Sequence, residues 1–415
     1  MSNQHPSPHA QAERIRHDLE VINSFNATPG QGITRLTFSP EHRNAVSYVL
    51  HELEKTGARV SFTRGGSLRG RLVGEAEDGP AVITGSHLDT VVHGGGYDGP
   101  AGVVAALELG RVIAERQIPH RLPIDLVAFA EEEGARFGRG VLGSSIWTGR
   151  ISMDQISQIE DKEGLSYLEA MEHAGITIDD NQVLTPDKLR AMLEIHIEQG
   201  AVLEREGIGL GLVEAIVGIK HYEVTIGGLA NHAGTTRMGF RHDAIQGAAR
   251  IIAAAEEIAS NHSHTSVATV GRISAEPNQI NVIPGRAKFS LDIRDTSAAS
   301  LDSMVTRIRN AIDEICSERG LRFDIKQLID IPPVPMSSEL INIMEQKAAY
   351  KNMRTLKMHS GAGHDACNFA DMTQTGMIFV PSRDGRSHCP EEFTKAENIA
   401  LAADLLLETV IELTA

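Results

Sequence analysis

The chain has 415 residues, a formal net charge of −16 with Lys and Arg together at 39, and 41% hydrophobic and 23% charged residues. That length exceeds one ordinary core and predicts two domains in a globular protein. The acidic balance excludes nucleic acid or an anionic membrane as the main partner, and no apolar run reaches membrane-spanning length.

The first stretch, "MSNQHPSPHAQAERIRHDLE", has no apolar signal-peptide core. It reads as a polar tail, with His5 and His9 solvated, leading into a helix. "HRNAVSYVLHELEKTG" has helical apolar spacing and stops on glycine. "AVITGSH" predicts a buried strand, and "GPAGVVAALELGRVIAER" an apolar helix with Pro100 near its start. "PIDLVAFAEEE" predicts a second buried strand that ends in carboxylates. Strand, helix and strand with short links describe a βαβ unit and a mainly parallel sheet, whose ligands lie beyond the carboxyl ends of the strands.

Near residue 214 the pattern changes. "KHYEVTIGG" alternates as a half-exposed strand does, and the helix "DAIQGAARIIAAAEEIAS" follows. Then come "TSVATVGRISAE", "AKFSLDIRD", the helix "LDSMVTRIRNAIDEICSERG" and "RFDIKQL". This is strand, helix, two strands, helix, strand, an α+β unit of its own. Past about residue 331 the chain returns to helix, loop and strand with "SSELINIMEQKAAYK", "GMIFVPS" and "NIALAADLLLETVIEL". The expected organisation is a discontinuous domain, 1–213 with 331–415, interrupted by an inserted domain, 214–330. The three cysteines, Cys316, Cys367 and Cys389, are too few and too scattered for a disulfide framework or a zinc knuckle, which fits a reducing cytoplasm.

Four short stretches carry chemistry. "GSHLDTVVHGGGYDG" places His87, Asp89 and Asp98 among glycines. A polar turn is the ordinary reading, one wall of a metal site the sharper one. The run Glu131, Glu132, Glu133 is ordinarily a solvated charge run, yet it directly follows a buried strand, where charge is costly without a cation. His196 in "LEIHIEQG" reads equally as a core histidine, and His388 in "PSRDGRSHCPEE" means little alone. Together, however, His, Asp, Glu, His and His form a ligand set suited to two zinc-like ions, with one aspartate able to bridge a pair about 3.5–4 Å apart. A further carboxylate from the Glu run can act as base. Asp89 is well placed to accept a hydrogen bond from the His87 imidazole.

The motifs "GSHLDTVVHGGGYDG", "AEEEGARF", "HIEQG", "NHAGTT", "NVIPG…DIR", "GAGHDA" and "SHCPEEF" stand in the order and spacing of the hydantoinase/carbamoylase amidases. The chain resembles that group from about residue 10 to its end. The group contains N-carbamoyl-L-amino-acid hydrolases, allantoate amidohydrolases and β-ureidopropionases of the yeast type, within the M20 zinc-peptidase superfamily. The resemblance implies an α/β zinc-exopeptidase-like catalytic domain with an inserted α+β lid and dimerisation domain. It implies two divalent ions per subunit, Zn²⁺ or Mn²⁺, Co²⁺ or Ni²⁺. His87, Asp98 and His196 would hold one, and Asp98, Glu133 and His388 the other. Glu132 would be the general base, with Glu131 a supporting carboxylate and Asp89 behind His87. His232 would polarise the scissile carbonyl; its ordinary reading is a loop imidazole facing water. Gln199, Asn281, Arg294, Gly363 and His364 would contact substrate, Asn281 and Arg294 gripping its carboxylate. Arg294 alone would read as a surface ion pair.

The implied activity is hydrolysis of the carbamoyl C–N bond of an N-carbamoyl-L-amino acid or an allantoate-type substrate, releasing ammonia and carbon dioxide. The implied assembly is a homodimer with shared active sites. An aminoacylase or dipeptidase of the same superfamily is the nearest alternative, and an inactive metal-binding homologue a further one. Three positions depart from the group's pattern. Arg237 stands where proline is usual, His242 where arginine is usual and Cys389 where asparagine is common.

Overall fold

The computed structural model describes residues 10–178 and 182–415; the polar tail with His5 and His9 lies outside the described residues. The chain separates into one unit running to Glu214 and including Met336–Met358 and Gly363–Ala415, and a second made of Ala215–Pro335 with His359–Ala362.

The first unit is built on a mixed sheet. Its strands lie in the order Arg59–Phe62, Leu68–Leu72, Ile124–Phe129, Ala81–His87, Leu189–Ile197, Gln374–Val380 and Leu210–Ile216, the last also pairing with Val334–Pro335 and Thr355–Ser360. The four central strands, from Ile124–Phe129 to Gln374–Val380, run parallel, and the flanking pairs are antiparallel. Every residue of Ala81–His87 and of Ile124–Phe129 is buried. Such continuous apolar runs belong to parallel strands covered on both faces.

The helix Pro100–Arg116 lies on Ala81–His87 and Leu189–Ile197, and packs against helices Ala12–Ser24 and Ala396–Thr414. Its start is tied to the site. Gly99 has φ +80°, and a Cβ there would fall 2.4 Å from the His87 ring, so only glycine lets the helix begin so near that imidazole. The helix is buried along most of its length, including Glu108. That carboxylate accepts from Arg14 Nε at 2.9 Å, Arg14 Nη2 at 2.8 Å and the Gln11 N–H at 2.7 Å, which satisfies a charge otherwise costly to bury.

The second unit is an antiparallel sheet in the order Ile273–Glu276, Arg286–Asp295, Gly218–Gly227, Arg322–Ile331, with Val267–Thr269 also paired to Arg286–Asp295. "TSVATVGRISAE", expected as one strand, is therefore two, which pair with successive stretches of the same long strand. Helices Ala244–Ser260 and Ala298–Glu318 cover one face. Their apolar sides close over Tyr222, Val224, Ile226, Phe289, Leu291 and Ile293. Each such fully buried large side chain contributes about 1.5–3 kcal/mol. Asp243 caps the first helix by accepting from the N–H groups of Ile245 and Gln246. A separate pair, Asn231–His232 with Val282–Ile283, sets His232 opposite Val282.

Among the described residues, no helix is long and apolar enough to cross a membrane.

Candidate active site

The carboxyl ends of the central strands converge, as parallel order requires. His87 is the last residue of its strand, His196 lies near the end of Leu189–Ile197, and Glu131–Glu133 follow Ile124–Phe129. Asp98 is met from both sides. Its Oδ1 lies 3.4 Å from His87 Nε2 and 3.2 Å from His196 Nε2, and its Oδ2 lies 3.4 Å from His388 Nε2. His388 Nε2 is also 3.4 Å from Glu133 Oε2, and His87 Nε2 is 3.6 Å from Glu132 Oε2. Among the described residues, three groups have the spacing to hold a cation: His87, Asp98 and His196; Asp98, Glu133 and His388, with Asp98 common to these two; and Glu194, His196 and His364.

The imidazoles are oriented for that task. His87 Nδ1 faces the Asp89 carbonyl at 3.0 Å, and His196 Nδ1 faces the Ile197 carbonyl at 3.0 Å. A proton on each Nδ1 leaves the Nε2 lone pair turned toward carboxylate oxygen, which is repulsive unless a proton or a cation lies between them. His87 Nε2 is buried and makes no hydrogen bond. Three imidazole nitrogens and two carboxylates suit borderline divalent cations, so the residues fit the metals their pattern implies.

Charge behaves accordingly. Burial alone would depress His87, but the carboxylates of Glu132, Asp98 and Asp89 hold it well above the usual imidazole range. The neighbouring Asp98 carboxylate raises His388 to about 9 against the effect of burial, with help from Glu133. Burial would raise Asp98, yet His196, His388 and His87 hold it well below the carboxylate range. Burial, with Glu133, Asp365 and Asp89 nearby, pushes Glu132 well up, opposed by His87, and burial with Asp98 brings Glu133 to about 7. Divalent charge would reverse the direction for these acids.

Asp89 corrects one expectation. Its carboxylate is 3.8 Å from His87 Nδ1, and the imidazole faces its main-chain carbonyl instead. The carboxylate accepts the N–H of Glu132 at 3.2 Å and of Glu133 at 3.1 Å, and so holds the two acids rather than the histidine. The turn after the strand brings two unpaired donors to Asp89, and backbone N–H groups cannot be left buried without partners. Glu131 turns away and accepts from the N–H groups of Arg136 and Phe137 at 3.1 and 2.7 Å. Glu131, Gln199 and His388 all have left-handed backbone, with φ of +54°, +58° and +56°. Such conformations cost about 1–3 kcal/mol each and persist where surrounding contacts impose them.

Gln199 donates from Nε2 to Asp98 Oδ2 at 2.6 Å, so it touches the shared carboxylate. His364 is buried against His196, ring centroids 4.4 Å apart, and burial holds it neutral. Gly363 precedes it with open space where a Cβ would stand.

His232, Asn281 and Arg294 belong to the second unit. His232 is exposed, and its Nδ1 accepts from the N–H groups of Gly234 and Thr235 at 3.0 and 3.3 Å. The ring proton therefore sits on Nε2, which makes that edge a donor. Asn281 is exposed and its carbonyl accepts the Ala233 N–H, which ties it to the same loop. Arg294 gives Nε and Nη2 to Asp292 at 3.0 and 2.9 Å and Nη1 to the Gly361 carbonyl at 2.6 Å. Five donors less these three leave one N–H on each Nη, the edge that a carboxylate binds. His221 Nε2 lies 3.1 Å from Asp292 behind this pair.

Of the departing positions, His242 faces the Arg319 carbonyl through Nδ1 at 3.1 Å, Arg237 is exposed at a short turn, and Cys389 is a free thiol. Sequence reasoning gave no role to Ser86, Glu194, Ser387 and Glu392. Glu194 accepts from Ser86 Oγ at 2.8 Å and from the Ala366 N–H at 3.0 Å, which ties the residue beside His87 to the loop after His364. Its signal was available, a carboxylate two residues before His196 in a buried strand.

Residues 83–412 match the family described as Peptidase family M20/M25/M40. The chain is 36% identical over 403 residues to an N-carbamoyl-L-amino-acid amidohydrolase of Paenarthrobacter aurescens, covering 97% of this chain and 98% of the relative. It is 39% identical over 390 residues to an allantoate amidohydrolase of Escherichia coli, covering 94% of each. A solved hydantoinase/carbamoylase family amidase from Burkholderia multivorans superposes with a TM-score of 0.94 at 31% identity over 99% of both chains.

Proposed function

The chain belongs to peptidase family M20/M25/M40, and from that membership we propose that it is a metal-dependent amidohydrolase cleaving the carbamoyl C–N bond of a small ureido carboxylate. The substrate class is N-carbamoyl-L-amino acids or allantoate, as in the names of its relatives. Products are the amine, ammonia and carbon dioxide. The observation that carries this is Asp98, with imidazoles on both carboxylate oxygens and Glu132 beside them.

His87, Asp98 and His196 would hold one ion, and Asp98, Glu133 and His388 a second, with Zn²⁺, Mn²⁺, Co²⁺ or Ni²⁺ suited to both. When bound, such ions supply Lewis acidity, which polarises a carbonyl and acidifies water. Glu132 takes the proton from the attacking water on a carboxylate oxygen and returns it to the leaving nitrogen. His232 Nε2–H donates to the oxygen on which charge develops. The free edge of Arg294 binds the substrate carboxylate bidentately, Asn281 completes that grip from the His232 loop, and Gln199, Gly363 and His364 bound the acyl end.

The assembly would be a homodimer in which His232 of one copy serves the metal-holding residues of the other. What supports this is the exposure of His232 together with Leu229, Met238, Phe240 and Ile280 in the same unit. Three free cysteines accord with a cytoplasmic setting. The test is ammonia release from allantoate, N-carbamoyl-L-amino acids, N-carbamoyl-β-alanine and N-acetyl amino acids, each with several metals. Turnover of a ureido acid, with N-acetyl amino acids inert, is the expected result. Preference for N-acetyl substrates would move the protein to the aminoacylases.

A further inference from the structure

One buried carboxylate takes no part in the chemistry above, yet it holds the backbone on which that chemistry depends. Glu392 is 5% exposed and lies four residues beyond His388. Its Oε1 accepts the N–H of Tyr97 at 2.8 Å and of Asp98 at 2.9 Å. Its Oε2 accepts the N–H of His388 at 3.2 Å and lies 2.9 Å from Ser387 Oγ. Ser387 Oγ is in turn 2.7 Å from Asp98 Oδ2, so one hydroxyl proton sits between the two carboxylates.

One fork thus spans two loops from opposite ends of the chain. Asp98 and His388 are the two residues that must converge on the second ion together with Glu133. The fork draws the two loops together. Asp98 follows a run of glycines, and His388 is kept in left-handed backbone at φ +56°. The room for the fork is also built in: a Cβ on Gly95 would fall 2.2 Å from Glu392 Oε1 and Cδ. Tyr97 closes the junction by stacking edge-on to Phe393 at 5.4 Å between centroids.

We propose that Glu392 is the positioning residue of the second metal pocket, fixing the separation of Asp98 and His388. This rests on the two-ion reading above. An amide cannot replace the carboxylate, because it offers one acceptor and one donor where backbone N–H groups approach both ends. Loss of such an outer contact typically costs about 10–100-fold in metal affinity.

The experiment measures Mn²⁺ binding by calorimetry and ion content per chain for wild type, Glu392→Gln and Gly95→Ala. The last displaces the fork with Glu392 intact. Circular dichroism and melting of the metal-free proteins report folding. The wild type should bind two ions. Both variants should fold, keep the first ion and bind the second about tenfold or more weakly. Their kcat should recover as Mn²⁺ is raised, with KM for substrate unchanged, a rescue that a merely structural role would not give. Wild-type affinity for the second ion in folded Glu392→Gln overturns the proposal and leaves the two-ion reading standing. If Glu392→Gln does not fold, Gly95→Ala decides by the same criteria. Failure of both to fold makes Glu392 a folding residue, and the proposal falls. A wild type that binds no ion removes the two-ion reading itself, and this inference with it.

Discussion

His196 aims Nε2 at Asp98 Oδ1 from 3.2 Å while its Nδ1 faces the Ile197 carbonyl at 3.0 Å. In the absence of a cation, a proton must lie between that nitrogen and that oxygen. The site is therefore built to exchange protons for metal.

Metal uptake should release protons. His388 is raised to about 9 by Asp98, so it carries a proton at pH 7 when no metal is bound, and the neighbouring carboxylates shift His87 and His196 in the same direction. A ligating nitrogen must lose its proton, so affinity rises with pH up to about 9 and falls below it. Calorimetry of Mn²⁺ binding to chelated protein, in two buffers of different ionisation enthalpy, should give heats that differ by at least one proton's worth. Equal heats in both buffers would contradict the assignment of these histidines as ligands.

Glu132 and Glu133 should separate by role. Glu132→Gln should keep near-normal metal content and lose about 10²-fold or more in kcat, the usual size for a missing general base. Glu133→Gln should lose an ion. The reverse pattern in ion content and rate would exchange the two assignments.

Arg294 should act on binding through its free edge. Arg294→Lys removes the planar fork and should raise KM about tenfold or more with metal content unchanged. Asp292→Asn, which loosens the pair behind it, should raise KM by less. A wild type that turns over carboxylate and carboxamide substrates equally would give Arg294 another task.

Active sites shared between copies should complement each other. Co-expression of Glu132→Ala with His232→Ala yields about half hybrid dimers, each with one intact site, so roughly a quarter of wild-type activity should return. No recovery would mean that each copy uses its own His232, and a monomer at assay concentration would dispose of the dimer altogether.

Much of this protein is written locally. Apolar runs such as "AVITGSH" and "GPAGVVAALELGRVIAER" mark buried strand and helix because burial on both faces demands unbroken hydrophobicity, and both lie where that pattern puts them. The ligand candidates could be named from residue type, because His, Asp, Glu, His and His together form a set suited to divalent cations although each alone has an ordinary reading. Arg294 as a carboxylate grip came from the motif order, as did the choice of Glu132 over Glu133.

Tertiary structure decided what depends on direction and on distant partners. It turned Asp89 from the imidazole to the backbone of Glu132 and Glu133, because a side chain two residues away must compete with donors brought in by another strand. It set Asp292 against Arg294, leaving one edge of the guanidinium open. It joined Asp98 to Ser387 and Glu392, whose meeting no local pattern records. Periodicity and residue type report the environment each residue needs. Which groups share a hydrogen bond is settled only when the strand ends converge and every buried donor must find an acceptor.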